Sequence, residues 1–202
     1  MANGTLKVSN IQTSSGSGTI TIGQSGETVS VGSGVTLSGG FGVTQADQWR
    51  LSSDFTYSGS QAFQVLTGWE RVDTDGYEKI GTGMTESSGI FTFPTTGIYL
   101  ISFQFHAEGT NSANNRFVVS AIDATTDNSS YSEASEVGTS ILGSTMGTDT
   151  RGTAFCIHQF YVTDTLTHKV RFKVSANNNN VKFFGNTNNT VTGVHFLRLG
   201  DT

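Results

Sequence analysis

The chain has a single cysteine, Cys156, so no disulfide can close within it and burial alone must hold the fold. A lone thiol suits synthesis in a reducing cytoplasm. Charge is scarce: 13% of the 202 residues are charged, and the net charge is −5. No Lys/Arg stripe is available to displace counterions, which argues against nucleic acid as a partner. Long apolar runs are missing as well. None approaches the roughly 20 residues of a membrane helix, so no membrane insertion is expected. The opening Met1-Ala2-Asn3-Gly4-Thr5 has no basic segment ahead of an apolar one, and no secretory signal is expected. Straight-chain helix formers are few, and no stretch holds helical apolar spacing for more than a turn or so.

What is present is β chemistry. Thr, Val, Ile and 14 Phe fit a pleated surface, while 25 Gly with many Ser and Asn supply turns. The expected class is all-β, in two regions. Residues 1–44 read as short strands, Leu6–Val8, Thr19–Ile22, Thr28–Val31 and Val35–Leu37, punctuated by Gly23, Gly26, Gly32, Gly34, Gly39 and Gly40. Their apolar supply is too thin to offset about 1–2 kcal/mol of backbone entropy per residue. The segment is therefore either a flexible tail or a shaft whose stripe is buried against copies of itself. Residues 45–59 read as a linker.

Residues 60–202 read as a globular head. Tyr99, Ile101, Phe103 and Phe105 alternate along Ile98–Ala107, and Val170, Phe172 and Val174 alternate with Lys169, Arg171 and Lys173. Phe117, Val119 and Ala121 continue the theme. Turn residues at Asp73–Gly76, Pro94–Gly97, Asn111–Asn115, Asp127–Ser130 and Asn177–Asn180 separate the strands, the pattern of a sandwich or barrel. Two strands are apolar on both sides. Thr153–Thr163 sets Phe155, Ile157 and Tyr161 against Cys156, Phe160 and Val162; Val191–Leu199 sets Val191, Leu197 and Leu199 against Val194 and Phe196. Both faces must be covered, by a neighbouring subunit or by a loop from the 124–152 segment. The face carrying Cys156, His158, Phe160 and Val162, with Val194 and Phe196, is assigned to the interface between subunits.

The run Gly89-Ile90-Phe91-Thr92-Phe93-Pro94-Thr95-Thr96-Gly97-Ile98-Tyr99-Leu100-Ile101-Ser102-Phe103 resembles the G-x-F-x-x-P-x-x-G-x-Y-x-x-x-F signature of the complement-type, tumour-necrosis-factor-like jelly roll. Phe117-Val118-Val119, Val170–Val174 and the closing Thr192-Gly193-Val194-His195-Phe196-Leu197 fit in order, so the likeness spans roughly residues 60–201. It implies an antiparallel jelly-roll sandwich and a homotrimer about a three-fold axis lined by aromatic residues, with the last strand near that axis. The chain departs from animal members in lacking a Gly-X-Y stalk, a cysteine pair and an acidic set for an axial calcium. The stretch Gly4–Gly16 is similar to the start of structural proteins from phages of marine and freshwater bacteria, as is Trp69–Asp73 leading into Gly81–Gly89. That likeness implies a virion location, made in the bacterial cytoplasm, with the N-terminus held by other virion proteins.

Chemistry is sparse. His106, His158, His168 and His195 show no two-ligand spacing, and Asp73-Thr74-Asp75-Gly76 lacks the rest of a calcium loop. Cys156 and His158 fall on one strand face, a conceivable thiolate–imidazole pair, but a small buried thiol accounts for them. No enzyme activity, cofactor or metal is expected. The candidate receptor loops, for a host surface glycan or protein, carry Asn111, Asn114, Asn128, Asn177, Asn178 and Asn188, whose amides suit sugar hydroxyls. The expectation is a phage fibre or spike with a host-binding head. A capsid-decoration or tail-assembly protein and a bacterial surface lectin or adhesin are the alternatives.

Overall fold

The computed structural model describes residues 8, 11–12, 19–33, 42–74, 76–109, 116–141, 150–179 and 181–202. The chain divides into two compact units, Met1–Gly39 and Gly40–Thr202.

In the first unit, residues 19–33 reverse direction at Ser25–Gly26. Glu27 N donates to Gln24 O at 3.0 Å, and Gln24 N donates to the Glu27 carboxylate at 2.6 Å. No strand is assigned among its described residues, although the spacing predicts strands over 19–22 and 28–31. Ile20, Ile22, Val29 and Val31 all stand exposed. The predicted strand Val35–Leu37 lies outside the described residues, as does Leu6–Val8 apart from Val8.

The second unit is a two-layer sandwich built from β1 (Ala46–Leu51), β2 (Phe55–Tyr57), β3 (Gln64–Val65), β4 (Trp69–Arg71), β5 (Thr85–Ser87), β6 (Ile90–Thr92), β7 (Gly97–Gly109), β8 (Val118–Thr125), β9 (Ser132–Thr139), β10 (Thr150–Val162), β11 (Lys169–Ala176), β12 (Val181–Phe183) and β13 (Gly193–Gly200). One sheet runs β2-β12-β7-β13-β1-β4, with β10 on the other edge of β7; the second runs β5-β6-β11-β8-β9, with β3 beside β11. Every pairing between these strands is antiparallel. Residues 45–59 are not a linker: β1 pairs with β13 and β4, and Trp49, Leu51 and Tyr57 enter the core. The polar run Ala46-Asp47-Gln48 conceals this strand from a hydropathy reading.

Aromatic side chains fill the space between the sheets. Phe172 lies 5.1 Å from Phe103, 5.4 Å from Phe91 and 5.7 Å from Trp69, ring centre to ring centre, and Phe91 lies 5.3 Å from Phe196. Such pairs add about 0.5–1.5 kcal/mol each beyond the area they bury. On β8 the inward residues are Val118, Ile122 and Ala124, the opposite parity to the one predicted. The signature residues have structural work to do. Tyr99 Oη donates to Thr95 O at 3.0 Å and closes the turn into β7. A Cβ on Gly97, at φ +146°, would lie 2.7 Å from Gly200 O, so the two strand ends could not meet with any other residue there.

The sandwich has two poles. At one, Val162 lies opposite Gly97, Gly200 opposite Ile98, and Arg198 Nη1 donates to Thr44 Oγ1 at 3.1 Å, so the chain enters and leaves the head together. The turn over residues 126–131, between β8 and β9, is at this pole, since Thr125 pairs with Lys169. At the other pole, Gly109 faces both Thr150 and Val181, and the loops after β11 and β12 emerge.

Candidate functional site

Cross-strand register lays out the outer face of the seven-stranded sheet in rows. Gln48, His195, Ser102 and Ile157 form one; Leu197 and Leu100, then Ile98 and Tyr161, continue towards the pole where the chain enters. Phe155, opposite Gln104, is 61% exposed, with Ile157 at 48%, Tyr161 at 53% and Leu199 at 52%. A concavity of about 410 Å³ lies on the same face, lined by Gln48, Tyr77, Leu100, Ser102, His195 and Leu197. Among the described strands β10 pairs only with β7. That leaves a 13-residue edge whose only charged side chain is Arg151. An edge this long, apolar and unblunted is a template for association unless something covers it.

The residues assigned from sequence to the interface lie on the other side of these strands. Cys156, Phe160, Val162, Val194 and Phe196 belong to the chain's own core, with exposures of 5, 8, 0, 0 and 3%. His158 is half-buried beside Phe160, their ring centres 5.7 Å apart. A strand apolar on both sides does not declare which face turns inward; the outward apolar side chains are Phe155, Ile157, Tyr161 and Leu199. In the 124–152 segment, β9 pairs with β8 in the opposite sheet and so does not cover this face; residues 142–149 lie outside the described residues.

Cys156 and His158 do share a face, but burial raises the thiol pKa and lowers that of the imidazole, which favours their neutral forms. His168 is held between Thr163 Oγ1 at 3.2 Å and Thr167 Oγ1 at 3.1 Å. His106 stacks beside Phe184, ring centres 4.8 Å apart. Burial lowers the pKa of His195.

The candidate receptor loops separate. Asn177 is a buried staple: its Oδ1 accepts from Arg116 N at 2.6 Å, and Asn178 is half-buried next to it. Asn188 is exposed on the 184–192 loop at the pole away from the chain's entrance. Asn128, at φ +58°, tips the turn at the entrance pole. There Asp127 Oδ1 accepts from Ser130 N at 2.7 Å and Ser129 N at 2.8 Å, contacts that hold its carboxyl far below the usual range. Asn111 and Asn114 lie outside the described residues.

Sequence reasoning missed the buried charges of β1. Asp47 accepts from Met84 N at 2.7 Å, Trp49 Nε1 at 2.9 Å and Arg71 Nε at 3.0 Å, pinning the 71–84 segment over the strand. Tyr77 Oη also donates to Asp47, at 3.3 Å; burial, then the Asp47 charge, pushes the phenol pKa up to about 12. Arg50 is 1% exposed and holds Glu70 at 2.7 Å, Asp73 at 2.9 Å and Thr74 at 2.9 Å. The only signal in the sequence was charge interrupting a strand beside Trp49.

No family model and no curated protein matches the chain. Solved structures do. An Eiger TNF from S. frugiperda superposes with a TM-score of 0.57 at 13% identity, covering 78% of this chain and 93% of that one. Murine APRIL gives 0.55 at 12% identity, covering 77% and 98%. The vertex protein P5 of phage PRD1 gives 0.47 at 15% identity, covering 79% and 99%. The head thus has the tumour-necrosis-factor-like jelly-roll fold that the G-x-F-x-x-P-x-x-G-x-Y signature implies.

Proposed function

We propose that the chain is a non-catalytic virion structural protein, a trimeric phage fibre or spike whose head seals its seven-stranded sheet against sister copies and meets the host surface at the pole away from the chain's entrance. One observation carries this reading: the outer face of β10 exposes Phe155, Ile157 and Tyr161 together, beside an edge that no strand pairs among the described residues. A sister chain is the occupant that fits. The face offers an apolar edge on β10 and, beside it on β7 and β13, the apolar pair Leu100 and Leu197, so identical copies would cover one another in a closed ring. The N-terminal segment repeats the logic on a small scale, since Ile20, Ile22, Val29 and Val31 find cover when copies run side by side as a shaft. The likeness of Gly4–Gly16 and Trp69–Asp73 to phage structural proteins supports the virion setting and an N-terminus held by other virion proteins.

Native mass measurement of the purified chain tests assembly: three times the 21.4 kDa of one chain is expected. Inhibition of phage adsorption by the purified protein tests host contact. A trimer that blocks nothing favours the decoration or tail-assembly role.

A further inference from the structure

The loop between β12 and β13 is rigid in its backbone and uncommitted in its side chains. Asn186 N donates to Leu51 O at 2.8 Å, and Asn186 Oδ1 accepts from Asn188 N at 2.7 Å and Asn189 N at 3.3 Å. Thr74 Oγ1 takes a hydrogen bond from Arg50 and donates to Asn188 O at 3.2 Å, which ties the loop to the segment after β4. Among the described residues, the exposed side-chain amides of Asn188 and Asn189 make no hydrogen bond. Gln48 Nε2 donates to Thr190 Oγ1 at 3.0 Å and leaves its carbonyl oxygen unused. These groups and Tyr77 border a cleft of about 390 Å³ on the β1 side of the sheet, which β13 and β7 separate from β10.

We infer that this cleft is a binding site for a neutral sugar. Each free amide offers a donor and an acceptor in one plane, the complement of adjacent hydroxyls on a pyranose ring. Tyr77 supplies an aromatic wall for the apolar face of that ring. Its volume lies within the roughly 300–1,000 Å³ of small-ligand sites and suits one or two sugar residues. The charge balance selects a neutral ligand: among the described residues Arg50 is the one cation lining the cleft, and it is spent on Glu70 and Asp73, which leaves no guanidinium there for a carboxylate, sulfate or phosphate. Because the loop is already fixed, little ordering entropy is lost on binding. In a trimer the cleft repeats three times, and weak sites would act together through avidity.

The inference deepens the host-contact reading and rests on it only for the source of the sugar. The full-length protein is applied to an array of neutral oligosaccharides together with acidic ones, and the strongest neutral ligand is then titrated in solution. Selective binding to neutral sugars is expected. The double variant Asn188→Ala/Asn189→Ala should lose at least about tenfold in affinity at unchanged native mass, while Asn128→Ala, at the opposite pole, should bind like the parent. Binding only to acidic sugars, no sugar binding, or an unaffected double variant would each overturn the site. The two readings fail separately. Blocked adsorption without neutral-sugar binding removes this site and keeps host contact, whereas sugar binding lost in the double variant without any effect on adsorption keeps the site and removes host contact.

Discussion

The two outer faces of the head are finished differently around β10. On the six-stranded sheet, buried Asp123 receives Lys173 at 2.6 Å and Arg171 at 2.9 Å. Tyr131 lies 4.1 Å under the Arg171 guanidinium, and Phe63 lies 4.3 Å from the Lys173 ammonium. Charges neutralise one another there, aromatic rings cover the aliphatic stems, and water meets a closed polar surface. Among the described residues, the seven-stranded sheet has ion pairs only towards its ends, among them Glu108 with Arg151 and Lys182 over Phe184, while Phe155, Ile157, Tyr161 and Leu199 stand exposed. Both sheets share one core, so burial requirements inside do not explain the contrast. The contrast is the one expected if one outer face meets solvent and the other meets a sister copy, as proposed above.

The comparison can be broken most severely from the inside. Phe172→Ala, at 0% exposure between the sheets, should cost about 3–5 kcal/mol of stability in denaturant unfolding and weaken both faces together. A partner-specific effect is expected from Ile157→Asp. The head should stay folded by circular dichroism while native mass falls to that of one chain; unchanged mass would remove the proposed role of this face. On the solvent face, Asp123→Asn takes the anion from Arg171 and leaves Lys173 with Glu133 alone, at 3.4 Å. The expected loss is about 2 kcal/mol, below the value for fully buried pairs because both cations keep some exposure. Trimer mass should not change.

The smallest effect is in pH. Burial lowers the pKa of His195 below its ordinary 6.5, so the unfolded or uncovered chain binds the proton more readily than the native one. Native stability is thus full above that ordinary value and declines as pH falls below it, and a sister chain over His195 would deepen the decline. Melting temperature should fall from about pH 7 to about pH 5, and His195→Gln should flatten part of the slope. Glu108 acts lower on the scale. Burial disfavours its charge, but hydrogen bonds from Arg151 and Lys182 outweigh that and lower its pKa from 4.5. Its contribution is complete above 4.5 and disappears as pH drops through the lowered value, a step that Glu108→Gln should remove.

Much of the fold was legible because β7 and β11 alternate so regularly that only one face of each can be inside. Pro94, Gly97 and Tyr99 added a turn whose geometry admits few substitutes. That two strands are apolar on both sides was legible, but not which side faces out. In β10, Phe160 and Phe155 are equally greasy, and only the packing of Phe160 against Phe93, with Cys156 and Val162 buried in the same core, turns one face inward. The strand β1 was hidden because Asp47 and Arg50 look like surface residues until Arg71 and Glu70 arrive from about twenty positions away. The cleft bordered by Tyr77 and Asn189 joins segments more than a hundred residues apart, and no local pattern encodes such a meeting.

The contact between Arg198 and Thr44 has a practical consequence. Since both ends of the head leave by one pole, a label or affinity tag added after Thr202 would sit beside the incoming strand, and the opposite loops would stay clear. A probe fixed to a surface by that tag would present the Asn188 loop outward. Sequence grafted into that loop would hang from a platform anchored at a single end, much as a lamp hangs from one cord.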